Sequence, residues 1–385
     1  MTEYRFGWNE TTEGLLLGSG WGTPEDAFVW AVGAESVLYL PVSPGGVPVT
    51  ALIDMRPHTR DGTSALQRVA IFADGTQVAA LELWERLCVA IDLHPCDGQT
   101  HIQLCFQNRD ASYTTSDPYF HFGKPFAWAL ASVRVLPALP RYFAASRPRV
   151  PGALADGSMQ DRVASLTQMA AADIVAAYES LGNGCELGFL QRDFQRSRPS
   201  LLQFSAVRQR ELVEGVFAGF NGVARSDLLQ WTVRRPEDDT WRLIEGRYGL
   251  SSATIYNRFV PAPARGFVEA AARLPRLADK LMEDIAAGDK IFLMRFSEPG
   301  GVEVARAVLA ALRYYGDADM VWLVADRSGL PGSVERLEPG LIRGHVDMPR
   351  PGQAESLDTL MSVLANAFVL LRQAQKLPAV RSTAK

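Results

Sequence analysis

The chain has 385 residues, 47% of them hydrophobic and 21% charged, with a formal net charge of −4. Such a length accommodates two or three domains with cores of their own. The near-neutral balance lacks the broad basic field that nucleic acid or an anionic membrane demands, so neither is an expected partner.

No apolar run approaches the roughly 18 residues of a membrane-spanning helix. The opening Met1-Thr2-Glu3-Tyr4-Arg5 lacks the basic start and apolar stretch of a secretory leader, which makes a cytoplasmic location the expectation. Four cysteines, Cys88, Cys96, Cys105 and Cys185, read as reduced thiols rather than as a disulfide framework. Without a CxxC pair, an HExxH motif or a Cys/His cluster, no metal and no cofactor is expected.

In chain order, residues 36–40, 49–55, 68–72, 76–83, 87–93, 101–106 and 126–136 are short runs of β-branched, aromatic and aliphatic residues. Ala73-Asp74-Gly75-Thr76 between two of them is a hairpin signal. Leu87, Val89, Ile91 and Leu93 alternate with polar or small residues, as do Ile102, Leu104 and Phe106, so each strand buries one face. The pattern predicts an antiparallel β-sandwich, jelly-roll-like, over residues 1–140. Trp21 and Trp30 fall within it; indoles either pack a core or stack on the apolar faces of sugars, and the second role makes both candidate substrate-binding residues. Pro137, Pro140, Pro148 and Pro151 mark residues 141–158 as a linker that no regular element is expected to cross.

Residues 159–385 read as an α/β domain. Val163, Leu166, Met169, Ile174 and Ala177 predict one helix leading into a glycine turn at Gly182 and Gly184. A helix over 274–287 is followed by an apolar strand at 290–296, an amphipathic helix at 302–315 and a second strand at 320–325, which together indicate a parallel crossover. Residues 341–347 and 356–371 add a strand and a closing helix. The carboxyl ends of these strands bring Arg295, Ser297, Asp326, His345 and Asp347 toward one rim, where open parallel sheets gather ligands.

Cys185 lies between the glycine turn and a short amphipathic helix. A thiol at a helix start is favoured as thiolate, and thus as nucleophile. The glycines could instead cradle a phosphate if a strand preceded them; a helix is expected there, which leaves a tight turn that positions Cys185.

The stretch ESLGNGCELGFLQR followed by LLQF resembles a bacterial family of unknown function whose members carry an ESLG-x-N-C-E-F-G block and are related to papain-like cysteine peptidases. The resemblance continues through KLMEDIAAGDKIFLMRF, LRYYGDADMVWLVAD and GSVERLEPGLIRGHVDM. It implies a cysteine-dependent hydrolase or acyl transferase with Cys185 as nucleophile and His345, Asn183 and Asp326 as the remaining catalytic candidates. The chain departs from the family pattern in two places. Gly184 stands directly before the cysteine, with Asn183 one step earlier, and YGLSSATIYNRFV lacks the family's histidine. The N-terminal part resembles jelly-roll modules attached to glycosyltransferases, which implies surface-glycan metabolism with a glycan or small molecule as partner. Two alternatives stay open: a non-catalytic glycan-binding or assembly protein, and a sugar-nucleotide transferase, for which Asp238-Asp239 is a weak acidic pair. The oligomeric state is not legible.

Overall fold

The computed structural model describes residues 1–6, 16–60, 63–64, 66–110, 126–138, 149–150, 158–196, 198–233, 240–259, 261, 264–295, 301–325, 329–347 and 357–376. The chain divides into two compact units, one of residues 1–140 and 298–310, the other of 141–297 and 311–385.

The first unit is an antiparallel β-sandwich. One sheet is formed by β1 (Thr2–Arg5), β3 (Val29–Val32), β5 (Val49–Pro57), β10 (Leu87–Leu93) and β12 (Phe126–Pro137), in the order β1-β12-β5-β10 with β3 also on β12. The second holds β2 (Leu16–Leu17), β4 (Glu35–Pro41), β8 (Gln67–Ala73), β9 (Thr76–Leu83) and β11 (His101–Asn108), in the order β2-β4-β11-β8-β9. A small ladder, β6 (Thr59–Arg60) with β7 (Thr63–Ser64), stands apart. In the second sheet the alternation read from sequence is realised. Leu38, Leu40, Ile71, Leu81, Leu83, Ile102, Leu104 and Phe106 are buried, whereas Glu35, Gln103 and Gln107 on the other face are exposed. Trp128 is fully buried and donates its indole N–H to Asn108 Oδ1 at 2.7 Å, which removes the cost of an orphaned donor.

The second unit is α/β. Its six-stranded sheet runs in the order β13-β21-β22-β20-β19-β14, made of β13 (Arg149–Val150), β14 (Tyr178–Ser180), β19 (Ile291–Arg295), β20 (Asp319–Val324), β21 (Val334–Glu338) and β22 (Leu341–His345). The pairs from β14 to β22 are parallel, and β21 and β13 close one edge antiparallel. Helices α1 (Met159–Thr167), α2 (Ala171–Ala176), α3 (Glu186–Asp193) and α7 (Leu357–Lys376) share one core with this sheet, in which Tyr178, Leu190, Leu293, Val321, Leu323, Leu360 and Leu364 are buried. Helix α6 (Gly301–Arg313) connects β19 to β20. Between α3 and β19 the chain makes an excursion. It comprises α4 (Gln209–Phe217), a four-stranded antiparallel sheet of β15 (Ser205–Ala206), β16 (Leu229–Thr232), β17 (Thr240–Glu245) and β18 (Leu250–Asn257), and the long α5 (Ala264–Ala287).

The expected sandwich followed by an α/β unit with a partly parallel sheet is therefore met. Three local expectations are corrected. The single helix ending at Ala177 is two, because Gln168 takes a left-handed φ of 59° and Ala170 restarts the chain as an N-cap. A strand, not a helix, precedes the glycine turn: Tyr178, Glu179 and Ser180 pair in parallel with Ile291, Phe292 and Leu293. The proline-rich stretch does carry a regular element, since Arg149 and Val150 pair with Glu335 and Val334.

Candidate functional site

The turn after β14 is built from backbone geometry that only certain residues accept. Gly182 has φ +95°, and a Cβ on it would sit 2.9 Å from the Ser205 carbonyl oxygen. Asn183 follows with φ 65°, a left-handed conformation that asparagine tolerates better than most residues. Its side chain clamps the neighbouring strand from both sides, donating from Nδ2 to the Val207 carbonyl at 2.7 Å and accepting from the Val207 N–H at 3.0 Å. Ser180 Oγ accepts from the Gly182 N–H. Asn183 thus spends its amide on holding the turn.

Cys185 is the N-cap residue of α3 and is half-buried. Burial first, and then the adjacent Glu186 carboxylate, push its thiol above the ordinary value, while the Arg242 guanidinium pulls the other way. The helix start is already occupied: Glu186 folds its carboxylate over Gly184, whose missing Cβ would lie 2.3 Å from Oε2, and pairs with Arg295 at 3.0 Å. A strand does precede the glycines, as a phosphate cradle requires, yet the Glu186 carboxylate beside Gly184 sets negative charge at the helix start, which disfavours a phosphate there.

Ser180, Gly182, Gly184, Glu186, Leu187, Leu293, Arg295, Leu323 and Leu360 line a shallow cleft of about 240 Å³, including the part open to solvent. It lies at the carboxyl ends of β14, β19 and β20. Of the expected rim residues that the structure describes, Arg295, His345 and Asp347, it gathers Arg295. His345 is 2% exposed, its ring against Gly329 and its backbone bonded to Gly332 and Ser333. β19 and β20 separate β14 from β22, about 14 Å at ordinary strand spacing. Among the described residues, Glu186 and Arg242 are the charged groups that act on the Cys185 thiol. Asp347 accepts from Thr359 Oγ1 at 2.9 Å, tying the end of β22 to the first turn of α7. Ser297, Asp326, Asp238 and Asp239 lie outside the described residues.

The rest of the ESLG…LQF block does structural work. Glu179 is buried, held above the usual carboxylate range chiefly by that burial, with Lys280 of α5 at 3.7 Å. Gln191 donates to the Tyr178 carbonyl at 3.0 Å and accepts from Gln203 at 2.7 Å. Gly188 leaves room for the Phe204 ring, which a Cβ would meet at 2.6 Å.

On the sandwich, Trp21 donates its N–H to the Val37 carbonyl at 2.6 Å and stands edge-on to Trp128 and Phe106, at 5.6 and 6.0 Å between centroids. Trp30 differs. Its neighbours in β3, Val29 and Ala31, are fully buried, while Trp30 is half-buried on the opposite face. Its N–H donates to Glu25 Oε1 at 2.7 Å, and its ring meets Phe28 and His58 edge-on at 5.1 and 5.4 Å. Trp30, Ala129 and Arg56 stand in register across β3, β12 and β5, and the Arg56 guanidinium lies 5.3 Å from the Phe28 centroid. Phe28 and Arg56 are functional candidates that sequence reasoning missed; the Val-Trp-Ala alternation in β3 is the signal that could have found this face.

No family model and no curated protein matches the chain. Solved structures do. A sugar-binding protein, the EclA C-terminal domain, is 14% identical over 27% of this chain and 68% of its own, with a TM-score of 0.20. A family 36 carbohydrate-binding module, solved with calcium and xylotriose, is 8% identical over 35% of this chain and 100% of its own, at 0.22. A family 35 carbohydrate-binding module from Clostridium thermocellum is 13% identical over 36% and 98%, also at 0.22. No helix among the described residues is long and apolar enough to cross a membrane.

Proposed function

We propose that this chain is a glycan-binding protein in which the β-sandwich recognises saccharide at the Trp30 edge of its first sheet. The observation that carries this reading is the row Trp30, Ala129, Arg56, flanked by Phe28 and Glu25. A half-buried indole offers part of an apolar face to a sugar ring, the fully buried Ala129 stands between it and Arg56, and a guanidinium and a carboxylate stand within reach of hydroxyl groups. The test is a glycan array probed with the full chain. Retention of a defined glycan that Trp30→Ala abolishes, with an unchanged melting temperature, supports the reading; a chain that retains nothing defeats it.

A second reading, cysteine-dependent acyl transfer at Cys185 in glycan metabolism, is favoured by one observation: Cys185 stands at the N-cap position of α3, beyond the carboxyl end of a parallel strand. Attack of a Cys185 thiolate on an acyl carbon would form a thioester and expel the leaving group, with the thiol proton passing to a base and on to that group. Burial and Glu186 both favour keeping that proton on sulfur, so the glycan-binding reading ranks first. Rapid alkylation by iodoacetamide at neutral pH, lost in Cys185→Ala, would reverse the ranking.

A further inference from the structure

The geometry points to a second saccharide site, independent of Trp30, on the outward face of the second sheet, shaped for an uncharged oligosaccharide lying across its strands. Register places its residues in rows. Tyr39 opposes Gln103; Val37, Cys105 and Phe72 stand in line across β4, β11 and β8; Glu35, Gln107 and Ala70 form the next line. Tyr39 and Phe72 are half-buried, whereas Gln103 and Gln107 are exposed. Two strand spacings across and one two-residue step along put the two rings about 12 Å apart, a span for a short oligosaccharide rather than a single sugar.

The chemistry of the face selects the occupant. The Gln103 and Gln107 amides and the Tyr39 hydroxyl bond to nothing among the described residues, which leaves paired donors and acceptors of the kind sugar hydroxyls require. Glu35 is the one charged group in these rows, with Arg68 and Glu82 paired across β8 and β9 beside them. Arg68 is held by Asp110 at 2.7 and 3.0 Å, Glu82 stands opposite it, and Glu35 shares a hydrogen bond with the Cys105 thiol. The rows thus offer no free cation for a uronate, a sulfate or a nucleic-acid backbone. Gly18 keeps Tyr39 in place, since a Cβ there would come within 3.1 Å of the ring.

The experiment is calorimetric titration of the full chain with neutral β-linked oligosaccharides of glucose, xylose and galactose, alongside uronic-acid oligomers. We expect a neutral oligosaccharide to bind and its monosaccharide to bind at least tenfold more weakly. Tyr39→Ala and Phe72→Ala should each weaken the oligosaccharide at least tenfold. Gln103→Ala, an exposed change that leaves the core untouched, should weaken it severalfold. Binding that vanishes in Trp30→Ala but survives the Tyr39, Phe72 and Gln103 changes upholds the function proposed above and overturns this site. Preference for the uronic-acid oligomers, or no binding of any neutral oligosaccharide, overturns it as well.

Discussion

Gly182 and Asn183, with φ of 95° and 65°, show how much of the conspicuous sequence block is committed to a shape. Gly182→Ala would meet both an unfavourable φ and the Ser205 carbonyl, and should cost about 2 kcal/mol or more, read from urea unfolding. The turn is legible in the sequence because glycine and asparagine are the residues that enter this region of backbone space. What the sequence hides is the surroundings of Cys185, since the Glu186 carboxylate and the partial burial that keep its proton on depend on how α3 lies over the sheet. Cys105 carries a pH prediction of its own. Burial, then its hydrogen bond with and proximity to Glu35, push its thiol from 9.0 to about 11. Between those values the folded protein keeps a proton that the unfolded chain releases, so unfolding free energy should fall as pH rises through that window. Cys105→Ala should flatten the slope, as followed by chemical denaturation at stepped pH.

At the level of elements, periodicity located every long strand of the sandwich but misjudged the pieces whose state depends on partners. Tyr178–Ser180 has only three residues, too few for any period, and becomes a strand because β19 satisfies its backbone and Leu364 accepts its tyrosine hydroxyl at 2.6 Å. Helix α5 starts at Ala264, well before the expected 274, and carries Pro275 inside it. Burial of Ala270, Leu274, Ala278, Leu281 and Ile285 along one stripe offsets the hydrogen bond that proline removes. β22 packs so closely on α7 that a Cβ at Gly344 would lie 2.4 Å from Val363 Cγ1. Gly344→Ala should therefore destabilise by about 1–3 kcal/mol. Combined with Val363→Ala the loss should be smaller than the sum of the two single changes, a coupling that a double-mutant cycle measures.

For the whole molecule, composition is silent about which residues of distant strands share one face. The adjacent rows that hold Tyr39 and Gln103, and Cys105 and Phe72, come from three strands far apart in sequence, and only the register assembles them. With a net charge of −4, the proposed hold through hydroxyl and ring contacts predicts that binding of a neutral glycan changes less than about twofold between roughly 0.1 and 1 M salt, measured by repeating the titration. A steep salt dependence would instead indicate that charge, and not sugar shape, holds the ligand.

The separation of β14 from its partner has a consequence for biosynthesis. Tyr178 leaves the ribosome long before Ile291, beside which it must lie, and its hydroxyl waits for Leu364, 186 residues further on. At ordinary translation speeds that delay is about 10–40 s, during which the three-residue strand and its glycine turn have no sheet to join. The central sheet is thus obliged to close late, after β22 at residues 341–345 has emerged, so a nascent chain stalled before residue 291 should expose this segment to chaperones and proteases.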